Sequence, residues 1–397
     1  MISKNMKKLV ENSSAIRAMF EEGAQLAKIY GAENVYDFSL GNPNVAAPES
    51  IKEAVIDVIT NDNPLMLHGY MSNAGYEDVR NAIADSINRR FDTNFDASNI
   101  IMTVGAAGGL NVILKTLVDP GDTVLTFAPF FAEYINYVNN ANGTLEAVPP
   151  VLEDFTPDME KFEQMLKPST KAVIINNPNN PSGVVYPAEV IAKIADILEK
   201  KQKEFGTSIY LISDEPYREL AYDGVEVPYL TKYYRNTVVG YSYSKSLSLP
   251  GDRIGYLVIP SEVDDYEEVF EGASVANRVL GFVNAPSLIQ RVVAKCCDEK
   301  TDIDFYDGNR KILYNALQEY GFTCVKPQGA FYLFIKSPVA DEREFCNAAK
   351  KHNVLLVQGR SFGCEGYVRL SYCVSRDTVV NSLPAFKALA EEYGLIK

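Results

Sequence analysis

The amino-acid sequence predicts an α/β protein with a mainly parallel sheet flanked by helices, plus a smaller α+β part. The first observation is that short apolar, β-branched runs alternate with longer helical patterns through most of the 397 residues. Such alternation is typical of layered folds in which helices connect parallel strands. The second observation is that several runs are apolar at consecutive positions, as expected of strands buried on both faces.

Six apolar runs in the first two thirds of the chain are predicted strands. Each is short and rich in residues that favour strands, such as Val and Ile. Longer segments separate the runs, which span 100–104, 123–127, 171–176, 209–213, 237–241 and 254–259.

Amphipathic helices are predicted between these runs. In one segment, apolar residues recur at steps of three and four, which places them on one face of a helix: Tyr76, Val79, Ile83 and Ile87. Another helix is expected to begin at a proline, a residue that suits the first turn. Its apolar residues share one side: Val190, Ile191, Ile194 and Ile197.

The pattern changes after about residue 290. The spacing predicts one long helix, then a group of strands and a final helix. The predicted elements are a helix from 287 to about 320, strands near 331–334, 354–357 and 368–372, and a helix at about 376–393.

These changes in pattern predict two domains. A large domain is expected at 46–290, and a small α+β domain is expected to combine 1–45 with 291–397. Because no repeat, low-complexity stretch or flexible Pro/Gly linker separates the two, we expect them to pack closely.

The charge balance argues against several classes of protein. Lys and Arg number 38 against 52 Asp and Glu, which gives a formal net charge of −14 at pH 7. Nucleic acids and anionic membranes attract clustered Lys and Arg, so neither is an expected partner. No run approaches the roughly 18 apolar residues of a membrane span. The N-terminal segment MISKNMKKLVENSS has no apolar stretch typical of a secretory signal, and we predict a cytoplasmic protein.

Histidine and cysteine are poorly placed for metal binding. The two histidines, His68 and His352, are too few for a His-rich site. No C-x-x-C spacing occurs among the six cysteines, and we interpret them as reduced thiols. They are Cys296, Cys297, Cys324, Cys346, Cys364 and Cys373.

The familiar nucleotide-binding motifs are absent from the sequence. Neither G-x-G-x-x-G after an early strand nor G-x-x-x-x-G-K-[ST] occurs. The cluster GAAGG at 105–109 does follow a predicted strand and precede a helix. Backbone N–H groups at such a place can hold a phosphate, or the glycines can simply form a tight turn.

The segment with the most chemistry is SYSKSLSLPGDRIG at 242–255. Lys245 follows a predicted strand among hydroxyl residues, and Arg253 lies beyond a Pro-Gly turn. A lysine at a strand end is usually a solvated cation. A lysine that burial or neighbouring cations keep partly neutral is instead a nucleophile that forms a Schiff base with carbonyls.

This segment resembles the cofactor-lysine motif of the class I and II aminotransferases. These are aspartate-aminotransferase-like enzymes of fold type I that use pyridoxal 5′-phosphate (PLP). The resemblance implies that Lys245 is the Schiff-base lysine and that Ser242 and Arg253 contact the cofactor phosphate. A planar, permanently charged guanidinium suits a phosphate dianion in an acidic protein.

Other motifs of that family follow in the expected order. Asp214 and Tyr217 in DEPY match the residues that pair with the pyridine nitrogen and the ring 3′-oxygen. A lone Asp at a strand end could also be a helix N-cap. Asn180 in NPNNPSG matches the second donor to the 3′-oxygen, with Ser182 where the family usually has Thr, although such a loop could also be a plain turn.

The resemblance extends to the stacking of the cofactor ring and to its phosphate. Gly105, Ala106 and Ala107 match the loop whose backbone amides bind phosphate. Phe131 in APFFAEY matches the aromatic that stacks on the cofactor ring, with Phe130 as the rival.

Three further residues match substrate or subunit contacts. Gly41 in LGNPN is implied as a main-chain donor to the substrate carboxylate. Arg369 in YVRLSY is implied as the clamp for that carboxylate, or alternatively forms an internal salt bridge. Tyr70 in HGYMSNAGYEDVR matches a tyrosine that reaches the neighbouring subunit's phosphate, which implies a homodimer. His68 is interpreted as structural.

The predicted function is PLP-dependent transfer of an amino group from an L-amino acid to a 2-oxo acid, commonly 2-oxoglutarate. Lys245, Asp214 and Tyr217 are the predicted catalytic residues. An aspartate-type substrate is favoured if Arg278 in NRVLGFVNAPS clamps a second carboxylate, although Arg278 could instead form a salt bridge at the rim.

Alternatives to transamination share part of this motif set. A C–S β-lyase or another fold type I PLP enzyme would use the same cofactor residues. A PLP-binding regulatory module and a protein that has lost catalysis are disfavoured, the first by the acidic charge and the second by the retained motif residues.

Overall fold

The structure is a computed structural model that describes residues 1–11 and 15–396, and the side chains of 5, 11, 15–21 and 24 are left out. Its strands in chain order are β1 (Tyr36–Asp37), β2 (Ile100–Thr103), β3 (Thr123–Phe127), β4 (Thr144–Val148), β5 (Thr170–Asn176), β6 (Tyr210–Asp214), β7 (Thr237–Ser242), β8 (Gly255–Val258), β9 (Tyr332–Lys336), β10 (Val354–Leu355), β11 (Val357–Gln358) and β12 (Tyr367–Ser371).

Helices fill most of the connections between these strands. In chain order they are α1 (Lys4–Glu11), α2 (Ala15–Tyr30), α3 (Glu49–Asn61), α4 (Pro64–Leu67), α5 (Glu77–Phe91), α6 (Gly105–Leu117), α7 (Tyr134–Asn140), α8 (Met159–Met165), α9 (Ala188–Phe205), α10 (Tyr243–Ser246), α11 (Tyr266–Val279), α12 (Ser287–Lys295), α13 (Ile303–Glu319), α14 (Glu342–Lys351) and α15 (Arg376–Glu392).

The central sheet has seven strands in the order β2-β8-β7-β6-β5-β3-β4. Strands β4, β3, β5, β6 and β7 run parallel to one another, whereas β8 is antiparallel to both β7 and β2. The predicted α/β class with a mainly parallel sheet is therefore confirmed.

Burial on both faces explains the continuous apolar runs. In β5, Val173 packs with residues of α8 and α9, while the next residue, Ile174, packs with residues of α6, α7 and α11. Adjacent strand residues point to opposite faces, so a strand covered by helices on each side needs apolar residues at consecutive positions.

All six predicted strands of the sheet are present, with ends that differ by no more than two residues. The sequence analysis did not predict β4, which lies at the sheet edge beside β3. Its residues are mostly half-buried, and Glu146 interrupts the apolar pattern. An edge strand needs less apolar surface than a central one, so its sequence carries a weaker signal.

The predicted long helix from 287 to about 320 is wrong. The segment forms α12, which ends at Lys295, and α13, which begins at Ile303. The Asp302 carboxylate accepts a hydrogen bond from the Phe305 N–H at 3.0 Å and so caps a new helix. The apolar spacing continued across this break and concealed it.

The N-terminal and C-terminal parts of the chain pair with each other in a second region of structure. Tyr36 and Asp37 of β1 pair in parallel with Val354 and Leu355 of β10. The predicted strand at 354–357 is divided into β10 and β11, and β11 joins β12 and β9 in a separate three-stranded sheet. The domain limits at 46–290 and at 1–45 with 291–397 stay a prediction.

The carboxyl ends of three central strands lie together beside the site described below. Asn176, Asp214 and Ser242 are the last residues of β5, β6 and β7. Open α/β sheets bind ligands beyond such carboxyl ends.

Within the described ranges, no helix is long and apolar enough to cross a membrane.

Candidate active site

A cavity of about 360 Å³ lies beyond the carboxyl ends of the central strands. It is lined both by these strand ends and by residues of the three-stranded sheet. Its wall contains most of the residues singled out from the sequence: Gly41, Ala106, Ala107, Phe131, Asn180, Asp214, Tyr217, Ser242, Lys245, Arg253 and Arg369.

Lys245 projects into this cavity from α10, which starts directly after β7. The Ser242 side chain caps α10 by accepting a hydrogen bond from the Ser244 N–H at 3.1 Å. The Lys245 Nζ donates to the Gly41 carbonyl oxygen at 2.7 Å. Burial lowers the pKa of Lys245 to about 8, and the positive charges of Arg253 and Arg369 act in the same direction.

Asp214 presents one unpartnered oxygen. Its side chain is buried, and Oδ2 accepts a hydrogen bond from the Tyr134 hydroxyl, while Oδ1 has no partner. Burial raises the pKa of Asp214 to about 7, and the hydrogen bond from Tyr134 opposes that rise. A buried carboxylate with a free oxygen is suited to a cationic N–H donor.

Arg369 lies on β12 and is 2% exposed. Its Nη1 donates to the Asn180 Oδ1 at 3.1 Å and its Nη2 donates to the Ser39 carbonyl, but Nε has no partner. No carboxylate of the described residues pairs with it, so the internal salt bridge is not observed. An arginine buried without a counter-ion is costly, and it offers donor groups to an anionic ligand.

Tyr217 faces the same space from the segment after β6. Its hydroxyl oxygen lies 2.8 Å from the hydroxyl oxygen of Tyr332. Burial raises the pKa of Tyr217 well above its ordinary value, so the phenol keeps its proton and can donate a hydrogen bond.

Arg253 and the start of α6 form the outer end of the cavity. The Arg253 guanidinium donates to the carbonyls of Pro250 at 2.8 Å and Val104 at 3.2 Å. Gly105 has a φ of +77°, and a Cβ atom there would lie 2.6 Å from the Arg253 Nη2. Glycine thus permits the close approach of a cation to a helix N-terminus, an arrangement suited to an anion.

The structure distinguishes Phe131 from Phe130, the two phenylalanines considered for stacking on a cofactor ring. Phe131 lines the cavity and contacts Tyr134 edge to face, with ring centroids 5.6 Å apart. Phe130 is buried in the core beside α6 and α7.

Tyr70, Arg278 and His68 lie outside the cavity lining of this chain. Tyr70 is 97% exposed and Arg278 is exposed on α11, and neither lines the cavity within this chain. The carbonyl of Gly41 accepts the Lys245 hydrogen bond, and the role of its N–H toward a substrate stays a prediction. His68 is exposed at the end of α4.

Sequence reasoning missed two tyrosines that hydrogen-bond to predicted cofactor contacts. Tyr134 bonds to Asp214, and Tyr332 bonds to Tyr217. Tyr134 stands at the end of the quoted motif APFFAEY, three residues after Phe131. In that motif only the phenylalanines were considered, Tyr332 lies in none of the quoted motifs, and isolated tyrosines are ordinary core residues.

No metal centre is indicated by the geometry. Among residues 1–11 and 15–396, no cluster of three or more His, Cys, Asp or Glu side chains could hold a metal ion.

We predict that Tyr134→Phe raises the pKa of Asp214 by about one unit, because a hydrogen bond to a charged group is lost. Asp214 has a folded pKa raised from 3.8 to about 7, so its contribution to the free energy of unfolding falls as pH rises through that interval. In the variant, this fall extends to higher pH. Urea unfolding across pH 4 to 9, on protein freed of bound small molecules, measures it.

Two further variants are needed to interpret the pH dependence of the free energy of unfolding. Asp214→Asn identifies the part of the pH dependence that belongs to Asp214. Tyr137→Phe removes a nearby phenol that does not hydrogen-bond Asp214 and is the matched control. Identical profiles for Tyr134→Phe and the wild type would contradict the assignment.

The sequence is similar to known aminotransferases over most of its length. A family model described as aminotransferase class I and II matches residues 33–385. The aspartate aminotransferase of Thermotoga maritima is 28% identical over 382 residues, 95% of each chain. A probable aspartate/prephenate aminotransferase of Thermus aquaticus is 30% identical over 351 residues, 87% of this chain and 89% of the relative.

A solved structure agrees over nearly the whole length. The amino transferase from Eubacterium rectale has a TM-score of 0.97 and 46% identity, with 99% of each chain covered. The fold type I architecture implied by the motifs is thereby confirmed. Because the family model covers most of the sequence, the chain belongs to the class I and II aminotransferase family and is an aminotransferase.

Proposed function

We propose that the cavity binds PLP at Lys245 and catalyses transfer of an amino group from an L-amino acid to a 2-oxo acid. The observation that carries the proposal is the placement of three incompletely paired groups in one cavity. Lys245 has a lowered pKa, Asp214 has a free oxygen and Arg369 has no carboxylate partner.

The residues present fit the cofactor at each of its functional groups. The Asp214 Oδ1 suits a protonated pyridine nitrogen, and Tyr217 and Asn180 suit the ring oxygen. Arg253, Ser242 and the start of α6 at Gly105 suit the phosphate, and Phe131 offers a flat apolar face. When bound, PLP supplies an electron sink for the negative charge that develops at the amino-acid Cα.

Lys245 is suited to two roles in this reaction. Its amine can hold the cofactor covalently, because a lysine with a pKa of about 8 is partly neutral near physiological pH. Once free, the same amine can remove a proton from the substrate Cα and return one, since catalytic efficiency is greatest when the pKa lies near the working pH.

Arg369 is proposed to bind the substrate α-carboxylate. Its guanidinium opens on the cavity with an unpartnered Nε, and carboxylates accept two parallel hydrogen bonds from such a group. The Asn180 side chain, which bonds the Arg369 Nη1, would keep the fork oriented.

The proposed substrates are an aspartate-type amino acid as donor and 2-oxoglutarate as acceptor. Relatives named for aspartate or prephenate support an aspartate-type donor, and 2-oxoglutarate is the proposed acceptor. Among the residues that the structure describes, the cations that line the cavity are Lys245, Arg253 and Arg369, each with a role above. A second substrate carboxylate would therefore need another cation, for which Arg278 stays the candidate.

A homodimer is proposed because the segment that contains Tyr70 exposes large apolar side chains. Tyr70 is accompanied by exposed Leu65 and Met66. Large apolar side chains exposed together are typical of interaction surfaces, which supports the prediction that Tyr70 reaches a second copy of the chain. The six cysteines are free thiols, which fits the proposed cytoplasmic location.

The proposed function is tested by single-turnover spectra. PLP-loaded protein is mixed with a panel of L-amino acids, and conversion of the visible cofactor absorbance to that of the amine form is recorded. We expect conversion with at least one amino acid and its reversal by a 2-oxo acid. Release of pyruvate and ammonia without a 2-oxo acid would favour the C–S β-lyase alternative.

Lys245→Ala is the decisive variant for this assay. It removes the amine that holds the cofactor and moves the proton, so we expect loss of the visible absorbance and of transamination. Lys232→Ala, which removes a lysine outside the cavity lining, is the matched control. A coloured, active Lys245→Ala protein would refute the assignment.

We predict that Arg369→Lys raises the KM for the amino acid by about tenfold to a hundredfold, because an ammonium cannot form two parallel hydrogen bonds. Steady-state kinetics with both substrates measure the effect. The affinity for PLP is expected to stay unchanged. The control Arg343→Lys alters a surface arginine that pairs with Asp341. A changed PLP affinity with an unchanged KM would exclude Arg369 from substrate binding.

We predict that Gly105→Ala weakens PLP binding by about tenfold, since a Cβ atom at a positive φ costs energy and displaces Arg253. Gly251→Ala is the matched control, because a Cβ atom there meets nothing within 4 Å. Equilibrium titration of the two variants with PLP, followed by absorbance, compares them. Equal affinities would show that the phosphate is held elsewhere.

A further inference from the structure

Tyr332 contacts three parts of the site, yet no motif assigns it a role. It begins β9, it is buried, and it lines the cavity. Strands β9 and β12 are antiparallel neighbours in which Tyr332 pairs with Ser371 and Phe334 pairs with Arg369. Tyr332 and Arg369 are therefore diagonal neighbours, which lie within reach of long side chains.

The ring of Tyr332 forms one wall for the Arg369 guanidinium. The Arg369 Cζ lies 4.6 Å from the centroid of the Tyr332 ring and 4.7 Å from that of Phe362. Both rings lie within the distance at which an aromatic ring attracts and stabilises a guanidinium. Asn180 and the Ser39 carbonyl accept hydrogen bonds from Nη1 and Nη2, and the two rings add contacts to the rest of the guanidinium.

The hydroxyl of Tyr332 faces Tyr217 and Gly41. The two phenol oxygens lie 2.8 Å apart, and the rings meet edge to face at 5.7 Å. A Cβ atom on residue 41 would lie 2.1 Å from the Tyr332 hydroxyl. Gly41 thus leaves room for this hydroxyl, while its carbonyl accepts from Lys245.

We propose that Tyr332 is a positioning residue that orients the substrate-binding arginine with its ring and the cofactor-binding tyrosine with its hydroxyl. This assignment rests on the proposed function. The hydroxyl donates to the Tyr217 oxygen, and the Tyr217 proton is then free to donate to the ring oxygen of PLP. A phenol that accepts a hydrogen bond is itself a stronger donor.

The surroundings of the two phenols support this arrangement. Burial raises the pKa of Tyr332 to about 12, and the neighbouring Arg369 opposes the rise. Asp214, Arg369 and Cys373 are the other titratable groups that act on the pair, and Lys245 lies beyond Gly41. Both phenols therefore keep their protons at neutral pH, as two successive donors require.

The test separates the hydroxyl from the ring. Tyr332→Phe removes only the hydroxyl, whereas Tyr332→Leu and Tyr332→Met also remove the ring beside Arg369. Tyr234→Phe is the matched control, since it deletes a buried hydroxyl that donates to the Ile209 carbonyl at 2.7 Å, outside the cavity lining. Each protein is loaded with PLP, and the visible absorbance of the bound cofactor is titrated with pH.

For Tyr332→Phe we expect the midpoint of the absorbance titration to move upward by about half a pH unit, because the donor to the ring oxygen is weakened. The dissociation constant of the amino acid in the half-reaction is expected to stay within about twofold of wild type, since the ring beside Arg369 remains. In the variants without the ring, this constant rises about tenfold.

A Tyr332→Phe midpoint equal to that of the wild type and of Tyr234→Phe would overturn the hydroxyl assignment. Wild-type affinity for the amino acid in either ring-deleted variant would overturn the ring assignment. Failure of the wild-type protein to bind PLP would instead remove the proposed function, so the two failures are distinguishable.

Discussion

The placement of three charged side chains in one cavity, two of them buried, is the constraint on which the rest of the site depends. Asp214 and Arg369 are buried and each keeps a polar atom without a partner, and Lys245 lies partly buried beside them. Burying such groups is costly unless they are paired. A bound cofactor and substrate would supply the missing hydrogen-bond and charge partners. Their binding would therefore offset the free-energy cost of placing these groups in the cavity.

The architecture supplies each of these groups from a different element. The carboxyl ends of β6 and β7 place Asp214 and the start of α10, and β12 brings Arg369 from the opposite side. The turn at Gly41 contacts both Lys245 and Tyr332. Asp214 and α10 follow strands of the central sheet, which is packed on both faces, whereas Arg369 lies on a strand of the three-stranded sheet.

The candidate site was recognisable from the sequence where its chemistry is concentrated in a short segment, and the structure brings Lys245 and Arg253 to one cavity. Lys245 and Arg253 are eight positions apart, and their surroundings are unusual for surface cations. Tyr134 and Tyr332 were missed because they act across 80 and 115 positions of the chain, and nothing local marks them. The division of 287–320 into two helices was missed because the cap at Asp302 interrupts a continuing apolar pattern.

The central claim is that Lys245 holds PLP covalently in this cavity. Borohydride reduction of the PLP-loaded protein makes a lysine–cofactor bond permanent, and peptide mass mapping then locates it. The account predicts one modified peptide, the one that contains Lys245. Modification of another lysine, or none, would contradict it.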